Sequence, residues 1–146
     1  MLSSENWQPG AVAGYSSTPL WKKLGYKTDV PVLVDNPPKG YAKLLGLPAD
    51  LEITWLTKPK SGMGFVHLFC REAAVLQRQL NLLRNQIAPN GVIWVSWPKK
   101  SSGVQTDITE DTIRTHALPI GLVDIKVCAV DDTWSGLKLM IRKSER

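Results

Sequence analysis

Val92-Ile93-Trp94-Val95-Ser96-Trp97-Pro98-Lys99-Lys100-Ser101-Ser102-Gly103 is the stretch on which the fold turns. Its apolar opening, Val92 to Ser96, reads as a buried strand, and the proline, lysines, serines and glycine that follow read as a loop from Trp97 to Gly103. Upstream, Arg71 to Ala88 has no glycine or proline and carries Ala74, Val75, Leu76, Leu80, Leu82, Leu83 and Ile87, which predicts an amphipathic helix closed by Pro89-Asn90-Gly91. Phe65 to Cys70, before that helix, is another apolar strand. Downstream, Asp107 with Glu110 three positions on predicts a capping box for a helix through Leu118. Val123 to Val130 and Leu137 to Arg142 are strands about the turn-rich Asp131-Asp132-Thr133-Trp134-Ser135-Gly136.

The N-terminal half has the same grammar in shorter units. Thr18-Pro19 ahead of Leu20 and Gly25 behind Leu24 bracket one or two helical turns, with the threonine as cap and the proline as first helical residue. Val30 to Asp35 is a strand with Pro31 near its start, Tyr41 to Leu45 is a short helix closed by Gly46, and Leu51 to Leu56 is a further strand. Residues 1–14, with Pro9, Gly10 and Gly14, read as a loose arm, and residues 15–146 as one domain. Strands alternating with helices and then a closing hairpin predict an α/β, three-layer fold. Its sheet has about six strands and is mainly parallel, with an antiparallel C-terminal hairpin.

Composition narrows the function classes. A chain of 146 residues, 43% hydrophobic and 21% charged, suits one globular domain. No apolar run approaches the roughly 18–20 residues of a membrane span, and Met1 to Trp7 lacks a basic segment followed by an apolar one, so the cytoplasm is the expected location. The net charge of +5 is partly in the tail Arg142-Lys143-Ser144-Glu145-Arg146, and the other lysines and arginines are scattered along the chain without a run of five or six. That scatter argues against a nucleic-acid footprint. Cys70 and Cys128 lie in apolar runs without the paired Cys/His spacing of a zinc site, so both read as free thiols and no metal is expected.

Two resemblances follow. A strand ending at Ser96, a helix, and a strand joined by a turn to an antiparallel partner resemble the second half of a class I methyltransferase fold, here with an abbreviated first half. Ala13 to Leu20, Val95 to Val104 and Leu122 to Asp131 are similar to segments of a family of short bacterial proteins, domain of unknown function 3052, which implies a fold and brings no activity. The methyltransferase resemblance implies a glycine-rich turn after the first strand and an acidic residue after the second, to hold S-adenosylmethionine. Here the first turn is Asn36-Pro37-Pro38-Lys39-Gly40, and Leu56-Thr57-Lys58 follows the second strand without a carboxylate. No cofactor is therefore expected.

In parallel α/β sheets ligands bind beyond the carboxyl ends of the strands, a rule that selects Asp35, Asn36, Cys70, Arg71, Ser96, Trp97, Lys99, Lys100, Asp131 and Trp134. Of these, Asn36, Ser96, Trp97, Lys99, Lys100, Asp131 and Trp134 are the candidate ligand-binding residues. Lys99 and Lys100, beside a helix start near Asp107, predict a corner for a small anion. His67 alternates with Phe65 and Phe69 and reads as a satisfied, partly buried histidine, while His116 falls at a helix end. Asp131-Asp132 reads as turn chemistry. Trp55 and Trp94 are expected to pack the sheet against its helices, Trp97 and Trp134 to stand in loops, and Trp7 and Trp21 to anchor the arm.

The expected function is a non-catalytic binding module for a small anionic ligand or protein partner, working through the 96–103 loop and the 131–136 turn. The alternative is a small transferase-type enzyme that holds an anionic cofactor or substrate at Lys99 or Lys100 and uses Asp131 or His67 as base. A nucleic-acid accessory protein is the third possibility.

Overall fold

The computed structural model describes residues 18–146, so the expected arm and Trp7 lie outside the described residues. Six strands form one sheet: β1 (Val32–Asp35), β2 (Trp55–Leu56), β3 (Met63–Phe69), β4 (Ile87–Pro98), β5 (Leu122–Ala129) and β6 (Trp134–Ile141). Their order across the sheet is β2-β1-β3-β4-β6-β5. The β1–β2, β1–β3 and β3–β4 pairs are parallel, whereas β6 runs antiparallel to both β4 and β5. This is the expected α/β sheet with a closing hairpin.

Strand alternation sends successive side chains to opposite faces and so builds two cores. Leu33, Val66, Leu68, Ile93 and Val95 pack on one face against α3 (Ala73–Arg84) and α4 (Glu110–Ala117). Helix α3 buries Leu76, Leu80 and Leu83, each worth roughly 1.5–3 kcal/mol when fully covered. Val32, Phe65, Phe69 and Trp94 pack on the other face, with Leu20 and Leu24 of α1 (Leu20–Leu24) and Tyr41 and Leu45 of α2 (Tyr41–Leu45). The Trp94 indole N–H donates to the Leu24 carbonyl at 2.8 Å and ties α1 to the sheet.

Several boundaries differ from the sequence reading. Pro19 is the N-cap of α1 and not its first helical residue. The first strand begins at Val32, where the amide donates to the Thr54 carbonyl; Pro31, just before it, has no amide to give. Only Trp55 and Leu56 of the expected second strand pair, and Trp55 is 46% exposed at the sheet edge instead of packed beneath a helix. Strand β4 is longer than expected at both ends. Ile87 already pairs with Met63, while Trp97 and Pro98 pair with Ser135 and Trp134, so Trp97 and Trp134 are strand residues. No helix among the described residues is long and apolar enough to cross a membrane.

A candidate ligand cleft beside a buried polar chain

The residues with the most catalytic chemistry lie inside the α1/α2 face. Parallel pairing of β3 with β4 sets His67 beside Trp94, and the His67 Nε2 meets Ser96 Oγ at 2.8 Å. On its other side His67 Nδ1 meets the Tyr41 hydroxyl at 2.7 Å, which meets the Tyr26 hydroxyl at 2.6 Å. A neutral imidazole donates at one nitrogen and accepts at the other, so both are satisfied. The ring stacks on Phe69, with centroids 4.2 Å apart, and Trp134 meets Phe69 edge-on at 5.1 Å. His67 and Ser96 have no exposed surface, and burial pushes the imidazole down to about 3. Burial raises the phenols of Tyr26 and Tyr41 as well. Histidine 67 is thus fully buried where partial burial was expected.

The opposite face opens at the carboxyl end of β4. A cleft of about 670 Å³ lies there, with Trp97, Pro98, Lys99 and Lys100 on one side and Gln105, Thr106, Ile108 and Glu110 on the other. The loop after β4 is braced internally: the Lys99 carbonyl accepts from the Ser102 amide at 3.0 Å and its hydroxyl at 2.6 Å. Gly103 closes that turn at φ 75°, a left-handed conformation glycine adopts without cost. The Lys99 amide donates to the Thr133 carbonyl at 2.7 Å, clasping this loop to the 131–136 turn.

A second cleft of about 420 Å³ borders the first across Gln105 and Thr106, walled by Arg71, Glu72 and Asp107. The Arg71 carbonyl accepts from the Thr106 hydroxyl at 2.7 Å, and the Asp107 carboxylate accepts from the Ala73 amide, also at 2.7 Å. Asp107 therefore caps α3 and not the helix that follows it, overturning the expected capping box. Helix α4 begins at Glu110 under a reciprocal Thr109–Thr112 box, and Glu110 and Asp111 pair with Arg114. Its N-terminus already holds acidic side chains, so the expected anion corner keeps its lysines and loses its helix contribution.

The predicted site residues separate. Lys99, Lys100 and the largely covered Trp97, 7% exposed, line the cleft. Ser96 is turned to the other face, and Trp134 packs there too. Asp131 Oδ1 accepts from the Thr133 and Trp134 amides at 2.9 and 2.7 Å, which confirms the turn reading. Asn36, at φ 57°, donates its side-chain amide to the Phe69 carbonyl at 3.3 Å and closes the end of β3. Asp35 ends β1 and Cys70 follows β3, and burial and then the Asp35 charge push the Cys70 thiol up to about 11. His116 lies in the last turn of α4 as expected. Sequence reasoning missed Gln105, Thr106 and Glu110 as cleft lining, since the contacts that fix this segment, from Arg71 to Thr106 and Asp107 and from Ala73 to Asp107, join residues 34 or more positions apart. It also missed the hydroxyls of Tyr26 and Tyr41, which no local pattern links to His67.

No family model and no curated relative matches the chain. Solved structures do. A SAM-dependent methyltransferase from Aquifex aeolicus superposes with TM-score 0.57 at 13% identity, covering 82% of this chain and 86% of that one. A putative type 11 methyltransferase from Sulfolobus solfataricus gives TM-score 0.52 at 14% identity over 80% and 86%. A TehB-like SAM-dependent methyltransferase from Corynebacterium glutamicum gives TM-score 0.51 at 8% identity over 89% and 91%. The fold is therefore methyltransferase-like.

The residues present do not fit the cofactor of that fold. Pro37 and Pro38 have no N–H to offer after β1, and the Asn36 side-chain amide is spent on the Phe69 carbonyl. Beyond β2, Thr57 and Lys58 supply no carboxylate for ribose hydroxyls.

Proposed function

We propose that the chain is a non-catalytic binding module that uses the cleft beyond β4 to hold a small anionic ligand. One observation carries the reading: the groups with acid–base chemistry, His67, Ser96 and Asp131, are internally hydrogen-bonded, while the open cleft presents Lys99, Lys100, neutral polar residues and one carboxylate, Glu110, whose charge is taken up by Arg114. In this reading the two ammonium groups take the anion, and Pro98, Val104 and Ile108 receive an apolar body. The similarity to family 3052 and a cytoplasmic setting belong to the same proposal. They rest on the three segments named above and on composition.

The test is a titration followed by amide NMR with inorganic phosphate, nucleoside monophosphates and S-adenosylhomocysteine. The expected result is shifts confined to residues 99–106 with phosphate-bearing ligands, abolished by Lys99→Ala with Lys100→Ala. Micromolar binding of S-adenosylhomocysteine at residues 35–41 would overturn it in favour of an enzyme.

A further inference from the structure

The lysines of the C-terminal hairpin are a charged feature that neither the cleft nor the core accounts for. Lys126 on β5 and Lys138 on β6 are register partners, and Lys138 also pairs with Trp94, so both stand on the α1/α2 face. Directly opposed side chains in such a ladder have Cβ atoms about 4.5–5.5 Å apart, and like charges so placed repel. Lys27, in the loop after α1, adds a third charge. Burial, then the charges of Lys126 and Lys27, hold the Lys138 ammonium below the ordinary lysine value. Lys23, in the last turn of α1, adds a fourth, since its charge and that of Lys126 both act on the Cys128 thiol two positions along β5. Among the described residues, ion pairs are made by Arg84, Arg114 and Arg142, and none involves these four lysines.

We propose that this face of the hairpin, through Lys23, Lys27, Lys126 and Lys138, binds the phosphodiester backbone of a nucleic acid without regard to base sequence. Four cations drawn from α1, the loop after it, β5 and β6 onto one sheet face suit an extended polyanion. Phosphates lying across them offset the Lys126–Lys138 repulsion and release counterions. A protein partner fits less well, because a stable protein interface needs an apolar centre. Val127, the hairpin's most exposed large apolar residue at 53%, lies on the opposite face, beside Leu137 of the aliphatic core. The expectation against nucleic acid rested on lysines being scattered in sequence. Positions 23, 27, 126 and 138 are scattered only along the chain.

The experiment is fluorescence anisotropy with a labelled 20-nucleotide single strand between 50 and 200 mM salt. Four phosphate contacts give log K against log salt a slope of about −3. Lys126→Gln with Lys138→Gln is expected to weaken binding at least about tenfold at 50 mM salt and to halve the slope. Removing a like-charge pair keeps or raises the melting temperature, so weakened binding is not unfolding. Lys99→Ala with Lys100→Ala, in the cleft, is expected to bind the strand as the wild type does. Absence of binding at 50 mM salt, an unchanged slope in the hairpin variant, or equal loss in the cleft variant overturns the proposal. Competition by polyglutamate as strong as by oligonucleotide overturns it in favour of an acidic protein.

Discussion

The two faces of the sheet are packed on different principles. The α3/α4 face is mainly aliphatic, with Leu76, Leu80, Ile93, Val95 and Ile113 in one cluster and Trp97 as its aromatic member at the strand end. The α1/α2 face is aromatic and threaded by the Ser96–His67–Tyr41–Tyr26 chain. The aliphatic side holds by area alone and leaves its strand ends free to open into clefts. The aromatic side holds by area plus geometry, because each buried hydroxyl or nitrogen left unpaired costs about 1–3 kcal/mol. Side chains that look catalytic are thus absorbed into specifying the packing, and those with access to ligand carry little chemistry.

The comparison can be broken by mutation. The largest effect is expected on the aliphatic face: Leu80→Ala should cost about 3 kcal/mol in urea unfolding, equally at pH 5 and pH 7.5. A pH-dependent loss there would erase the distinction between the faces. Next comes acidification. Unfolded His67 takes a proton near 6.5 and the folded one only near 3, so falling pH favours the unfolded chain. This contribution is complete above about pH 6.5 and is lost progressively as the pH falls towards the folded value, amounting to roughly 2–3 kcal/mol by pH 4.5. His67→Phe should lose that slope; a variant with the wild-type pH profile would show that His67 does not carry it.

Smaller effects sharpen the contrast at the cleft. Asp107→Ala removes the cap of α3 and should cost about 1 kcal/mol. Glu110→Ala should cost under about 0.5 kcal/mol, because its partner Arg114 retains Asp111 and Asp124. A reversed ranking would return the capping role to α4. Lys99→Ala with Lys100→Ala should change stability by less than about 0.5 kcal/mol while abolishing ligand shifts.

The elements that the sequence declares are those bounded by local chemistry. Tyr41–Leu45 sits between Gly40 at φ 80° and Gly46, and its bounds follow from the sequence to the residue. The hairpin was read from its turn residues, and the parallel order from strands separated by helices. What was not legible is set by partners distant in sequence. Trp97 reads as a loop residue because Pro98 follows it, yet β6 reaches alongside and makes it strand. The hydroxyl of Ser96 gives no sign of direction until β3 and β4 fix their register against His67. Asp107 with Glu110 has the spacing of a capping box, but the Ala73 amide, 34 residues earlier, competes for the carboxylate and wins. The cleft lies where that competition is decided, so its lining was the least legible part.

That carboxylate also bears on the order of assembly. Helix α3 leaves the ribosome before the residue that finishes its first turn, and the Asp107–Ala73 contact closes a long loop, which is slow and costly to form. The β4–β6 pairing, which joins Val92 to Met140, closes a longer loop still, so the clefts on either side of Gln105 and Thr106 are finished only with the long-range contacts of the whole domain. A ligand that binds only the finished cleft stabilises the native state by mass action, and a cleft absent from the folding transition state would show this as slower unfolding.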